Sequence, residues 1–284
     1  MLEEIMKKRI AMLLSVTMLM GMALTGCGNA ANGTAANGSA AGSESGNATV
    51  EQDANTVYAV EAGSAGEAVA KENGYQMNSV ASQADALMEV ASGTSDAAII
   101  DLLMAGAMIG EGTSYPDLVL GEELTKEEYG VGCRKGSDLV SYINCVFGET
   151  YADGSMQETA KKYGVQESLL EQPATEYVAV EGGDVAYIQG KGTLIVGITE
   201  FAPMDYPDDK GEWIGFDADM ARKVAEKLGV EIEFVVIDWD NKIMELDSKN
   251  IDVVWNGMTL TDEVKAAMDC SNAYCNNAQV VVSK

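Results

Sequence analysis

Asn256, Gly257, Thr259 and Thr261 lie close together in residues 253–265, VVWNGMTLTDEVK. Amides and hydroxyls at this spacing can hydrogen-bond a small polar molecule. The elements that must hold them are legible around them. Residues 251–255 form a short apolar run that reads as a buried strand. The run stops at Asn256-Gly257, where the backbone can turn sharply, and Asp262-Glu263 open a helix. Strand, polar turn and helix N-terminus together make an open rim. An ordinary strand-to-helix turn carries the same residues, so this stretch takes its meaning from the rest of the chain.

The 284 residues are enough for two lobes of ordinary size. The net charge is −27, from 45 acidic against 18 basic residues. Such a surface repels phosphates, which excludes nucleic acid as a partner and binding to an anionic membrane through a basic face. There is no histidine, so a Ser-His-Asp triad and a His-ligated zinc site are both excluded. No metal or other cofactor is expected.

Residues 1–26 read as an export signal. Lys7, Lys8 and Arg9 precede an apolar run at 10–24 that is short for a membrane span. The run ends in Leu24-Thr25-Gly26-Cys27, which resembles the lipobox of bacterial lipoproteins. That resemblance implies that Cys27 carries lipid and becomes the new N-terminus. Residues 28–56 are rich in Gly, Ala, Asn and Ser and read as a tether, with a mean reach of about 30 Å. Cys133, Cys145, Cys270 and Cys275 have neither CxxC nor disulfide-scaffold spacing, and buried free thiols are the simplest reading.

From residue 57 onward, short apolar runs alternate with helical patterns, which predicts an α/β fold with helix-covered parallel sheets. Strands are expected at 57–62, 97–100, 118–120 and 129–133. Helices are expected at 68–73, 83–90, 102–109, 137–147 and 155–162. Residues 171–192, with several glycines and no clear period, read as a linker. A strand at 193–199 opens the last block. The helix over 217–228 is the best in the chain, with Met220, Val224 and Leu228 on one face and Gly229 as its stop. Strands at 232–237, 251–255 and 276–283 and a helix at 242–246 complete it.

Residues 193–284 carry LIVGIT, FAPMDY, WIGFDADMARKVAEKLGVEIEF, DWDNKIMEL, IDVVWNGMTLT and QVVVSK. In that order they resemble the first half of an extracellular solute-binding protein of polar amino-acid ABC transporters. Residues 57–170 carry VEAGSAGEA, SDAAIID and EEYGVGCRKGSDL and resemble the second half. The halves are thus in reversed order, which implies a circular permutation of a two-lobed periplasmic-binding-protein fold. A truncated tandem gene is the alternative. The implied organisation is lobe 2 at 57–124, a hinge crossover and second part of lobe 1 at 125–170, a linker at 171–192, and the first part of lobe 1 at 193–284. Only one covalent crossover, near 125–129, would join the lobes.

The resemblance also implies a site. Phe201 and Trp239 match an aromatic pair that sandwiches the ligand. Asn256, Gly257 and Thr259 match its polar rim, and Ser64 belongs to a helix-start loop that receives a carboxylate through backbone amides. Asp101 matches the acidic residue that holds an α-ammonium. Two positions depart from the pattern. Val264 stands where an arginine usually grips the ligand carboxylate, and Ala65 replaces a hydroxyl residue. The implied function is a lipid-anchored receptor on the outer face of the cell membrane. It would pass an amino acid or related polar solute to an ABC permease, and it would not be an enzyme. A dehydratase-like enzyme on the same fold, with Glu200 or Asp101 as acid or base, is one alternative. A sensor or surface lipoprotein with an altered site is another.

Overall fold

The computed structural model describes residues 55–284. The signal at 1–26, Cys27 and all but the last two residues of the tether lie outside them. The described chain forms two helix-covered sheets. The first has five strands, β1 (Val57–Glu61), β2 (Gln76–Val80), β3 (Ala97–Asp101), β4 (Val119–Glu123) and β13 (Gln279–Ser283), in the order β2-β1-β3-β13-β4. β1 runs parallel to both β2 and β3, whereas β13 is antiparallel to β3 and β4. The second has six strands: β5 (Glu127–Cys133), β6 (Thr193–Ile198), β9 (Glu231–Val236), β10 (Val253–Thr259), β11 (Asp269–Cys270) and β12 (Cys275–Asn277). β6 is parallel to β9 and β10, and β5 is antiparallel to β10, β11 and β12. Between β6 and β9, the short strands β7 (Tyr206–Pro207) and β8 (Trp213–Ile214) pair with each other.

Each lobe is built by one-sided helices. Phe216–Leu228 buries Met220, Val224 and Leu228, the face read from its spacing, and ends at Gly229 in the left-handed conformation. Gln83–Ser92 is capped by Ser82 and buries Ala86, Leu87 and Val90. Phe147 packs edge-on against Trp255 and Tyr274, filling the second lobe with aromatic area. The largest core runs without a break from Ala59 and Ile100 in the first lobe through Tyr129 to Trp255 in the second.

Three expectations need correction. The chain crosses between the lobes twice, not once. One crossing joins β4 to β5, and Ala278 makes the other between β12 and β13. Residues 279–283 therefore belong to the first sheet and not to the lobe of 193–277. The reason is hydrogen bonding: β13 fills the gap between β3 and β4, and Gln279, next to the second crossing, is tied to the first by donating its N–H to Thr125 Oγ1 (2.8 Å) and accepting from Leu124 N (2.7 Å). Next, the presumed linker is partly helical. Asp184–Lys191 forms a helix because Val185 and Ile188, three apart, are buried together on the second lobe. Lastly, the strand of the polar rim does not stop at Asn256-Gly257. β10 continues to Thr259 and shifts its pairing with β5 between Val254 and Met258. Cys133, Cys145, Cys270 and Cys275 are free thiols, the first and last of them buried.

Candidate functional site

The parallel strands of both sheets point their carboxyl ends at the space between the lobes, the place where open α/β sheets bind ligands. β1 ends in Glu61 and β3 in Asp101 from the first lobe. β10 ends in Thr259, and β9 leads into Trp239 from the second. Between them lies a cavity of about 530 Å³, walled by Glu61, Ser64, Asp101, Trp239, Thr259 and Val264 among others. That volume suits a small solute.

The lobes touch across this cavity. Lys242 Nζ donates to Gly63 O at 2.8 Å and to Trp239 O at 3.1 Å, and its ammonium lies 4.9 Å from the centre of the Trp239 ring. Burial pushes the Lys242 ammonium below its usual range. A Cβ on Gly63 would stand 2.6 Å from Asp240 Cα, so glycine is what lets the two walls meet there.

Of the residues expected to bind, Trp239, Asn256, Gly257, Thr259, Ser64 and Asp101 all line the cavity. Phe201 does not. Its ring is 2% exposed, sits edge-on to Tyr129 at 6.2 Å, and lies directly under Gly257. The cause is local: residues 201–205 fold back on themselves through Phe201 N to Asp205 O at 2.6 Å, and the ring turns inward. Trp239 is thus without its expected aromatic partner across the ligand.

Much of the polar rim is spent on the protein itself. Asn256 Oδ1 accepts from Thr199 N at 3.0 Å, and its Nδ2 donates to Thr199 Oγ1 at 2.8 Å, binding β10 to β6. Gly257 N donates to Asp217 Oδ2 at 2.6 Å, and Thr259 Oγ1 donates to Glu127 Oε2 at 3.0 Å. Ser64 Oγ caps the helix Ala65–Glu72 by accepting from Glu67 N at 3.1 Å. Its hydroxyl therefore shapes the loop, and the first-turn N–H groups of that helix are the donors left for a ligand.

Gly257 has a φ of +55°, and a Cβ there would lie 2.2 Å from Phe201 Cε1. Gly257→Ala is therefore expected to lower stability by about 2–3 kcal/mol through backbone strain and a displaced ring. A urea melt checks this: a midpoint equal to that of the wild type would mean that the ring moves without cost.

Asp101 is the most heavily bonded group at the site. Oδ1 accepts from Tyr129 Oη at 2.8 Å, from Gln279 Nε2 at 3.1 Å and from Asn277 Nδ2, and Oδ2 accepts from Gln83 Nε2. Those donors come from both chain crossings and from the helix Gln83–Ser92. Burial, with the Glu127 charge nearby, pushes the Asp101 carboxyl up to about 7.

Glu61 was missed by sequence reasoning. It ends an apolar strand, is 3% exposed, and lines the cavity with Oε1 making no hydrogen bond. Burial pushes its carboxyl up to about 8, and the Asp101 charge adds to the shift. The signal that could have found it is position: Glu61 and Asp101 end neighbouring parallel strands.

Residues 194–284 match the family model of bacterial extracellular solute-binding proteins, family 3. Over that segment the chain is similar to the family 3 bacterial extracellular solute-binding proteins. The L-cystine-binding protein TcyJ of Escherichia coli K12 is 37% identical over 99 residues, which cover 34% of this chain and 37% of TcyJ. The arginine-binding extracellular protein ArtP of Bacillus subtilis 168 is 38% identical over 96 residues, with 34% and 37% covered. Among solved structures, an ancestral cationic amino acid solute binding protein is 39% identical over 30% of this chain and 37% of its own, with a TM-score of 0.29. The aligned part spans little more than a third of the length of these curated relatives. The family segment contributes Trp239, Lys242, the rim of β10 and Val264 to the cavity.

Proposed function

We propose that the chain is an exported receptor, held at the outer face of the cell membrane by lipid on Cys27. It captures an amino acid or related small polar solute between its lobes and hands it to an ABC permease. The observation that carries this reading is the cavity itself, which takes its walls from strand ends of both lobes and is bridged by Lys242 on Gly63. The amino-acid-binding relatives of residues 194–284 support the choice of solute. A permuted lobe order accounts for the family segment following residues 57–170, with each sheet drawing strands from both parts of the chain. Binding without chemical change is the simplest use of the site.

A thermal-shift screen of the full-length chain against amino acids and amines tests the reading. Stabilisation by at least one compound is expected, and stabilisation by none would overturn it. Val264 bears on the carboxylate. It lines the cavity, is 6% exposed and packs within an apolar cluster that includes Met258 and Met268. Val264→Arg is expected to raise the affinity for lysine relative to cadaverine, the same molecule without its carboxylate, by about tenfold. An unchanged ratio by calorimetry would place the carboxylate elsewhere.

A further inference from the structure

Glu61 and Asp101 end strands of the first lobe and Glu127 opens β5 of the second, and the hydrogen bonding of these three carboxylates is unequal. A carboxylate offers about four lone-pair sites, and Asp101 has four side-chain donors from the protein. Glu127 Oε2 accepts from Thr259, Gln279 and Asn277. Glu61 Oε1 accepts from none within hydrogen-bond distance, although Glu61 is as deeply buried as Asp101 and lines the same cavity; the nearby Gln83 and Thr199 side chains only partly offset its burial. A buried carboxylate oxygen without a donor is costly, and native structures supply the donor from protein, water or ligand.

The cations lining the cavity do not fill this role. Lys71 is paired with Glu67 at 2.8 Å, and Lys242 donates to the Gly63 and Trp239 carbonyls, its charge reaching Glu61 without a hydrogen bond. Val264 brings no charge.

We propose that Glu61, and not Asp101, is the anchor for a cationic group of the ligand, an ammonium or guanidinium, and that a carboxylate on the ligand is dispensable. Asp101 then serves the hinge, held by its own donors. The ligand class is an alkyl amine or a cationic amino acid. The Trp239 ring, on the facing wall, suits the aliphatic stem of such a molecule. This inference rests on the proposed solute capture and specifies the chemistry it recognises.

The test is calorimetric titration of the full-length protein with lysine, cadaverine and hexanoate, repeated on Glu61→Gln. Lysine and cadaverine are expected to bind the wild type and hexanoate to bind at least tenfold more weakly. Both cations are expected to lose about 10- to 100-fold in affinity in Glu61→Gln, the effect of removing one charge-assisted hydrogen bond. The variant is expected to fold. Its side chain is nearly isosteric, and because folding raises the Glu61 carboxyl, ionising it opposes the fold above its unfolded range. The empty variant is therefore expected to melt no lower than the wild type at pH 7.5. Amino-acid binding that is unchanged in Glu61→Gln, or hexanoate binding as tightly as cadaverine, would overturn the anchor while leaving solute capture intact. These wild-type comparisons stand even if the variant fails to fold. Absence of binding by these probes and by every amino acid would overturn the anchor and solute capture together.

Discussion

Asp101→Ala is expected to destabilise the chain by about 3 kcal/mol, the largest effect of any single substitution at the cleft. Removing the carboxylate strips Tyr129 Oη and Gln83 Nε2 of the acceptors they reach within a buried hinge. Buried donors left without partners cost about 1–3 kcal/mol each. Asn277 and Gln279 lose less, because both also donate to Glu127 Oε2, at 3.3 and 3.0 Å. Relief of the repulsion between Asp101 and Glu127, which helps to hold the Asp101 carboxyl up at about 7, returns part of the loss. Asp101→Asn keeps one acceptor oxygen and is expected to cost less. Urea unfolding of the three proteins at pH 7.5 decides the matter. Midpoints that coincide would mean that Asp101 does not tie the crossings together. Asp101→Ala should abolish ligand binding as well, here because the hinge that brings Glu61 and Trp239 together is loosened.

Gly63→Ala is expected to reduce ligand affinity by roughly 10- to 100-fold while leaving each lobe folded. Gly63 has a φ of +70°, where a side chain adds strain of about 1 kcal/mol. Its larger effect is at the lobe contact. The added Cβ would press to 2.6 Å from Asp240 Cα and 2.9 Å from Asp240 Oδ1, so the walls must separate and Lys242 must lengthen its bond to Gly63 O. A cleft held open exposes its ligand to water and gives up contacts from one wall, which is how a closing receptor loses affinity. Small-angle scattering with saturating ligand is expected to show a more extended variant than wild type. Superimposable profiles and equal affinities would show that the contact at Gly63 is not part of closure.

The sequence carried the fold further than it carried the site. Helix faces such as Met220, Val224 and Leu228 follow from local spacing, and the structure buries them as expected. β2 escaped notice because Gln-Met-Asn-Ser-Val lacks an apolar alternation, being held by parallel pairing to β1 at a sheet edge. The second crossing was hidden for a related reason. Residues 276–283 read as one valine-rich strand, yet the break at Ala278 is set by pairing with β3 and β4, more than a hundred residues away. At the site, the positions of Asp101, Trp239 and Thr259 at strand ends were legible. Their hydrogen-bond partners were not, since Tyr129, Asn277 and Gln279 converge on Asp101 only in the folded chain. Phe201 carried an aromatic signal that serves equally for a cleft and a core, and the fold-back at Asp205 chose the core. Glu61 carried a signal of place alone, a carboxylate ending a strand beside the strand of Asp101.

Native mass spectrometry of the full-length chain, after exposure to a mixture of amino acids and amines, reads whether the space between the lobes captures a small polar solute. The expected result is a one-to-one adduct whose mass equals that of an unmodified component of the mixture, strongly reduced in Gly63→Ala. A chain that emerges from the mixture with no adduct would contradict solute capture, and an adduct retained undiminished in that variant would contradict closure at Gly63.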